Sequence, residues 1–119
     1  MEIKEFVGKT FVKIVGMTEN SEEVVFTDSE GNEYIMYHDQ NCCESVSLES
    51  VCGNVSDLLN TPILMAEERT SSDSPEMDGY DSYTWTFYSL ATIGGYVDLR
   101  WFGQSNGYYS EGVSIKKYN

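Results

Sequence analysis

The feature that most limits the fold is a two-residue alternation of apolar and polar side chains in the last third of the chain. It runs through Tyr83–Tyr88 and again through Val97–Phe102. Side chains of a strand point alternately to the two faces of a sheet, so this period is typical of half-buried strands. The dipeptides Gly94-Gly95 and Asn106-Gly107 are favoured two-residue hairpin turns. With a last alternating segment at Val113–Lys116, the pattern predicts a three-stranded antiparallel meander.

The front half predicts the same kind of structure. Glu22–Thr27 and Glu33–Tyr37 are rich in β-branched and aromatic residues, and the turn-forming segment Asp28–Asn32 separates them. Ser45–Val51 alternates again, and Val55–Asn60 is long enough for one or two helical turns. The predicted fold class is therefore mainly β (α+β), with antiparallel sheet meanders and one short helix.

The length of 119 residues fits a single compact domain spanning residues 1–119. Residues 70–81 are rich in Ser, Asp, Pro and Gly, and we expect a mobile loop there that need not separate two domains. The N-terminus lacks the basic start and apolar stretch of a signal peptide, and no apolar run is long enough for a membrane helix. We therefore expect a cytoplasmic protein whose three cysteines are free thiols.

Charge limits the class of partner. The formal net charge is −13, and between Lys13 and Arg69 the chain has no Lys or Arg but twelve carboxylates. A field of this sign repels nucleic acid and membrane headgroups and attracts basic protein surfaces. Although strands with many aromatic rings can bind single-stranded nucleic acid, that use needs a basic groove. The predicted partner-binding residues are Glu19, Glu22, Glu23, Asp28, Glu30, Glu33, Glu44 and Glu49.

The segment Tyr37–Glu44 is the densest group of reactive side chains, and it holds the single histidine. His38, Cys42, Cys43 and Cys52 have the ligand types of a structural zinc site, but the usual spacing of two to four residues is missing. A Cys–His nucleophile would lack both an orienting group and an oxyanion hole. The favoured interpretation is that one Cys is buried as a small apolar residue while His38 closes the loop by hydrogen bonds. A disulfide between the adjacent cysteines is not expected.

A ligand-binding role is the alternative to a protein partner. Its predicted residues, which would act together with nearby tyrosine rings, are His38, Asp39, Cys42, Cys43, Glu44 and Arg100. Alternation accounts for about half of the rings in the rear of the chain as core. The surplus tyrosines favour a protein interface or a small-ligand pocket, and they are compatible with a homodimer. Arg100 is expected to pair with Asp98 or Glu111. No complete catalytic motif is present, so we expect neither an enzyme nor a bound metal or cofactor.

Several motifs together resemble a known group of proteins. They are Gly8-Lys9-Thr10, Tyr37–Gln40 followed by Cys42-Cys43-Glu44, Pro62–Leu64, Ala66–Glu68, Tyr83–Tyr88, Arg100-Trp101, Gly103 and Ser105–Ser110. This pattern is similar to a family of small uncharacterised proteins encoded mainly by tailed bacteriophages, and the His-Asp/Glu-Gln-x-Cys-Cys-Glu element is its most specific part. Cys52 lies outside that pattern. The resemblance implies a small accessory protein that acts in the cytoplasm of the infected host.

Charge and resemblance together predict an inhibitor of a basic host protein. A CRISPR effector or another nucleic-acid-handling defence enzyme has the basic groove that a DNA mimic would occupy. Binding would then be sensitive to salt, and charge reversal at Glu22, Glu23, Glu30 and Glu33 together would abolish it. The alternative is a small-ligand binder, such as a sponge for a nucleotide signal, for which a specific ligand would raise the melting temperature.

Overall fold

The computed structural model describes residues 1–73, 82–105 and 110–118, and antiparallel strands dominate it. The strands are β1 (Phe11–Val15), β2 (Glu23–Asp28), β3 (Glu33–Tyr37), β4 (Ser45–Cys52), β5 (Met65–Asp73), β6 (Ser82–Thr92), β7 (Gly95–Ser105) and β8 (Ser114–Lys117). Two single-turn 3₁₀ helices, Ile3–Phe6 and Val55–Leu58, are the helices of the described residues. The prediction of a mainly antiparallel β protein is confirmed.

The first sheet has the strand order β1-β2-β3-β8, and it contains the predicted front meander. The carboxylate of Asp28 closes the turn between β2 and β3, accepting the backbone N–H groups of Glu30 and Asn32 at 2.9 Å each. Such a side-chain bond to the following backbone is the reason why Asp favours turns. Val24 lies opposite Met36, and both are buried.

The second sheet has the order β4-β7-β6-β5, and the long β6–β7 hairpin forms its centre. Thr92 pairs with Gly95, so the two residues of the turn are Ile93 and Gly94. The predicted turn at Gly94-Gly95 is therefore displaced by one residue, because Gly95 is already the first residue of β7.

The predicted rear meander is wrong in its third strand. Strand β7 lies between β6 and β4, so neither of its edges is open to another strand. Strand β8 instead crosses to the first sheet, where Ile115 pairs with Met36. The hairpin predicted at Asn106-Gly107 lies outside the described residues.

Both sheets contribute to one hydrophobic core. Val24, Phe26 and Met36 come from the first sheet, and Tyr88 and Trp101 from the second, all fully buried. Alternation thus places one set of rings inside, as predicted.

The N-terminal 3₁₀ helix adds Phe6 to this core. The ring centroid of Phe6 lies 4.9 Å from that of Phe11 and 5.0 Å from that of Phe26, with edge-on geometry. Such edge-to-face contacts are the preferred arrangement of aromatic pairs. The start of the chain is therefore held by the first sheet.

Two further predictions concern the middle of the chain. The predicted helix at Val55–Asn60 is present as the 3₁₀ turn Val55–Leu58, in which Asn54 accepts the N–H of Ser56 at 3.1 Å. The predicted loop at residues 70–81 begins too early, since β5 continues to Asp73, and its remainder lies outside the described residues. Within the described ranges, no helix is long and apolar enough to cross a membrane.

Candidate functional site

The connection between β3 and β4, residues 38–44, is built around a buried contact between His38 and Glu44. The side chains of His38 and Glu44 are 4% and 0% exposed, and Nε2 of the ring lies 2.9 Å from the Glu44 Oε2 atom. The other ring nitrogen, Nδ1, lies 2.7 Å from the backbone carbonyl oxygen of Gly112. A carbonyl oxygen and a carboxylate accept hydrogen bonds, so the ring faces an acceptor at each of its two nitrogens. The prediction that His38 closes this loop by hydrogen bonds is confirmed.

Glu44 is the centre of the loop. Its carboxylate accepts the backbone N–H groups of Asn41 at 3.0 Å and Cys42 at 2.8 Å, and the amide of Gln40 at 3.3 Å. Burial alone would raise the pKa of this carboxyl group. The hydrogen bonds from His38 and from the Cys42 and Asn41 amides outweigh burial and lower the pKa to about 2. The loop therefore wraps around a carboxylate that stays ionised.

The cysteines do not form the predicted arrangements. Cys42 and Cys43 are exposed at the tip of the loop and are joined by a disulfide, so the expectations of free thiols and of one buried Cys are wrong. The loop backbone turns inward to Glu44, which leaves these two side chains facing solvent. Cys52 is a free, exposed thiol opposite Asp98 on β7. The described residues contain no group of three metal-ligating side chains.

A second buried carboxylate, Glu111, fixes the segment that the His38 ring contacts. It accepts the hydroxyl groups of Ser82, of Thr84 at 2.8 Å and of Ser105 at 2.5 Å. Burial would raise the pKa of Glu111, but these hydroxyl donors prevail and lower it. Glu111 thus ties the segment before β8 to the second sheet, while the Gly112 carbonyl ties it to the His38 loop.

The eight predicted partner-binding residues fall into different environments. Glu19, Glu22, Glu23 and Glu30 are exposed, and Glu33 is half-buried. Asp28 and Glu44 are buried, and their carboxylates are engaged by internal donors, so they do not contribute to the outer surface. Glu49 pairs with Arg100 at 2.6 Å between half-exposed side chains. The predicted pairing of Arg100 with Asp98 or Glu111 is therefore wrong.

The exposed carboxylates divide between two ends of the first sheet. Glu30 lies in the β2–β3 turn, whereas Glu19, Glu22 and Glu23 lie at the other end of β2. Glu22 and Glu23 line an open groove of about 380 Å³ together with His38 and Gln40. Asp39, which is exposed, lies between these two loop residues in sequence. We call Glu19, Glu22, Glu23 and Asp39 the acidic end.

Backbone contacts hold the acidic end in place. The N–H of Asn20 donates to the Leu48 carbonyl, and the N–H of Leu48 donates to the Ser21 carbonyl, both at 2.7 Å. Gly16 has a φ of 90°, and a Cβ there would collide with the carbonyl oxygen of Glu23. The β1–β2 connection is thus fixed to β4 of the second sheet.

The structure does not bring Arg100 to the His38 loop. Ser45, which follows the loop, lies opposite Gln104, whereas Arg100 lies opposite Ser50. Four residues of β7 separate Arg100 from Gln104, which is roughly 14 Å at about 3.4 Å per residue. The predicted ligand loop therefore lacks its basic residue.

Comparison with known proteins gives a family and no function. No curated protein and no solved structure matches the chain. A family model described as a domain of unknown function, DUF7448, matches residues 4–115, which is nearly the whole chain. The chain therefore belongs to the DUF7448 family.

Proposed function

We propose that this protein binds and inhibits a basic, nucleic-acid-handling host protein, and that the acidic end is its contact surface. The observation that carries the proposal is the position of the acidic end. Its four carboxylates are exposed, and they belong to a stretch of chain without Lys or Arg between Lys13 and Arg69. Clustered charge of one sign steers an oppositely charged partner and fixes its orientation.

The internal hydrogen bonds make this surface suited to binding. The Glu44 network holds one loop of the acidic end, and the contacts of Leu48 hold the other. A surface that is already ordered loses less conformational entropy when a partner binds. The buried Glu44 carboxylate and the backbone contacts of Leu48 therefore hold the exposed acids in place.

The class of target follows from charge and resemblance. Proteins that handle nucleic acids have clefts lined with Lys and Arg for phosphate contacts. Carboxylates held on a rigid edge can occupy such a cleft in place of phosphates. The resemblance to phage-encoded proteins extends the proposal to an accessory protein that acts on a host defence enzyme, such as a CRISPR effector. On this proposal the protein is not itself an enzyme.

The test is capture of a partner from host lysate by tagged protein at low and high salt, with the partner identified by mass spectrometry. The partner is then measured against purified variants. In the acidic-end variant E19Q/E22Q/E23Q/D39N, we expect affinity to fall by roughly tenfold or more, because exposed ion pairs contribute about 0.2–1 kcal/mol each. The same partner should dissociate at high salt.

A matched control separates the acidic end from net charge. The variant E2Q/E5Q/E30Q/E68Q removes four exposed carboxylates from other parts of the surface and has the same formal net charge as the acidic-end variant. We expect it to bind like the wild type. If both variants bind like the wild type, charge does not direct binding and the proposal fails. If both lose affinity equally, bulk charge and not the acidic end is responsible.

A further inference from the structure

The outer face of the second sheet carries an ordered ladder of aromatic and charged side chains. Alternate residues of β6 and β7 fill the core, and the others point away from it. Aligned across the sheet, these outward side chains form rows about 6.8 Å apart, which is two residues of strand. Each row consists of residues that lie directly opposite one another on neighbouring strands.

Two successive rows carry opposite charge. One contains Arg69 on β5, Phe87 on β6 and Arg100 on β7. The next contains Glu67 on β5 and Asp98 on β7, with a serine between them. All four charged side chains are exposed. We call the first the arginine row and the second the acidic row.

Apolar rows flank this pair on both sides. Beyond the arginine row, Trp85 and Phe102 lie side by side with ring centroids 4.6 Å apart. Beyond the acidic row lie Met65, Ala91 and Tyr96, and the Tyr96 side chain is 60% exposed. Trp, Tyr and Arg are the residues that contribute most at protein interfaces.

The arginines are already oriented on rings. The Arg69 guanidinium lies 5.2 Å from the Phe87 centroid, and that of Arg100 lies 5.1 Å from the Trp85 centroid. Arg69, Glu67 and Asp98 form no ion pair within the described part of the chain. An arginine stacked on a ring keeps its N–H donors available for a carboxylate. Arg100 uses its Nε donor for Glu49, so its terminal N–H groups are the donors that a second carboxylate would contact.

From this order of rows we propose that the outer face of the second sheet binds a second copy of the chain. Consider a two-fold axis that runs parallel to the rows and midway between the arginine row and the acidic row. Rotation about this axis places the arginine row of one copy over the acidic row of the other copy. Arg69 then faces Glu67 of the second copy, and Arg100 faces its Asp98. The Trp85–Phe102 row faces the Met65–Tyr96 row. One operation therefore matches both charge and apolar surface, as an isologous interface requires.

Other occupants fit this face less well. A basic partner meets two arginines, and a uniformly acidic partner meets Glu49, Glu67 and Asp98. A two-fold axis along the strands would place each row over its own kind and oppose arginine to arginine. Only the offset of one row pairs opposite charges, so the face specifies both its partner and its register.

The test is a charge exchange measured by sedimentation equilibrium between about 5 and 200 µM protein. We expect the wild type to form dimers. The variants E67R and R69E each oppose like charges twice per dimer, and we expect at least a tenfold weaker dimer for each. An equimolar mixture of the two variants restores both pairs and should give a 1:1 heterodimer. The double variant E67R/R69E should form a homodimer again.

The control is Glu68→Arg, which makes the same charge change one residue away at a side chain that alternates to the other face of β5. It should dimerise like the wild type, and circular-dichroism melts verify folding of every variant. A wild type that remains monomeric up to 200 µM overturns the proposal. So does a dimer that both single variants retain, or a mixture that fails to pair. None of these results bears on the acidic end, which lies apart from this face.

Discussion

The His38 loop and the outer face of the second sheet use charge in opposite ways. In the loop, the Glu44 carboxylate is fully buried, and it accepts hydrogen bonds from groups of the loop itself. On the outer face, the pair of Arg100 and Glu49 is 45% and 42% exposed. A buried pair costs desolvation and is strongly destabilising when one partner is removed, whereas an exposed pair contributes little. The loop is thus a determinant of stability, and the outer face is available for association.

The largest expected effect comes from removing the buried acid. Glu44→Ala leaves the Nε2 atom of His38 and two backbone N–H groups without their partner. We expect the melting temperature to fall by on the order of 10 °C or more, because several buried polar groups lose their hydrogen-bond partner at once. Thermal unfolding followed by circular dichroism measures this. The control Glu30→Ala removes an exposed carboxylate and should shift the melting temperature by less than about 2 °C. Equal shifts in the two variants would contradict the contrast between the loop and the surface.

Acid should weaken the protein through the same group. Glu44 remains ionised in the folded state down to its pKa of about 2, whereas the unfolded chain takes up that proton near the ordinary glutamate pKa of 4.5. The unfolded state therefore binds more protons between these values, and the free energy of unfolding falls as the pH falls through this window. Asp28 and Glu111, whose pKa values are also lowered by internal donors, act in the same direction. Above about pH 6 the contribution is complete.

Urea unfolding at pH 7, 5, 4 and 3 tests this sign. The wild type should lose stability steadily below pH 5, and Glu44→Gln should show a flatter decline because it has no proton to take up at that position. Glu30→Gln, which replaces an exposed acid, should keep the wild-type slope. Parallel curves for the wild type and Glu44→Gln would show that Glu44 has the same pKa in both states, contrary to its hydrogen bonding.

The sequence predicted which residues form strands better than it predicted which strands pair with one another. The strand at Glu33–Tyr37 was predicted with its exact bounds, because periodicity and turn residues are local signals. The partner of β8 was not, since Ser114–Lys117 alternates in the same way whichever sheet it joins. The turn at Ile93-Gly94 was missed by one residue because two adjacent glycines allow either register.

The candidate site was predicted in its parts but not in its orientation. The sequence singled out His38 and Glu44, yet it also placed Glu44 among the exposed acids. Whether the His38 loop turns inward depends on a contact between His38 and Gly112, which lie 74 residues apart in the sequence. Glu111 was considered only as an ion-pair partner of Arg100, because its donors Ser82 and Thr84 precede it by 29 and 27 residues and have no distinctive spacing. A buried carboxylate whose donors are distant in sequence cannot be recognised until the fold brings those donors to it.

The smallest effect on stability, but a clear one on association, is expected at Tyr96. This side chain is 60% exposed, so Tyr96→Ser removes little buried area and should change the free energy of unfolding by less than about 0.5 kcal/mol. In the proposed dimer it faces Phe102 of the second copy, and we expect roughly tenfold weaker dimerisation by sedimentation equilibrium. Tyr118 provides the matched control, because it is 55% exposed and directly follows β8 of the first sheet. Tyr118→Ser should alter neither quantity. If Tyr96→Ser instead lowers stability and leaves the dimer intact, the outer face behaves like the His38 loop and the contrast between the two regions fails.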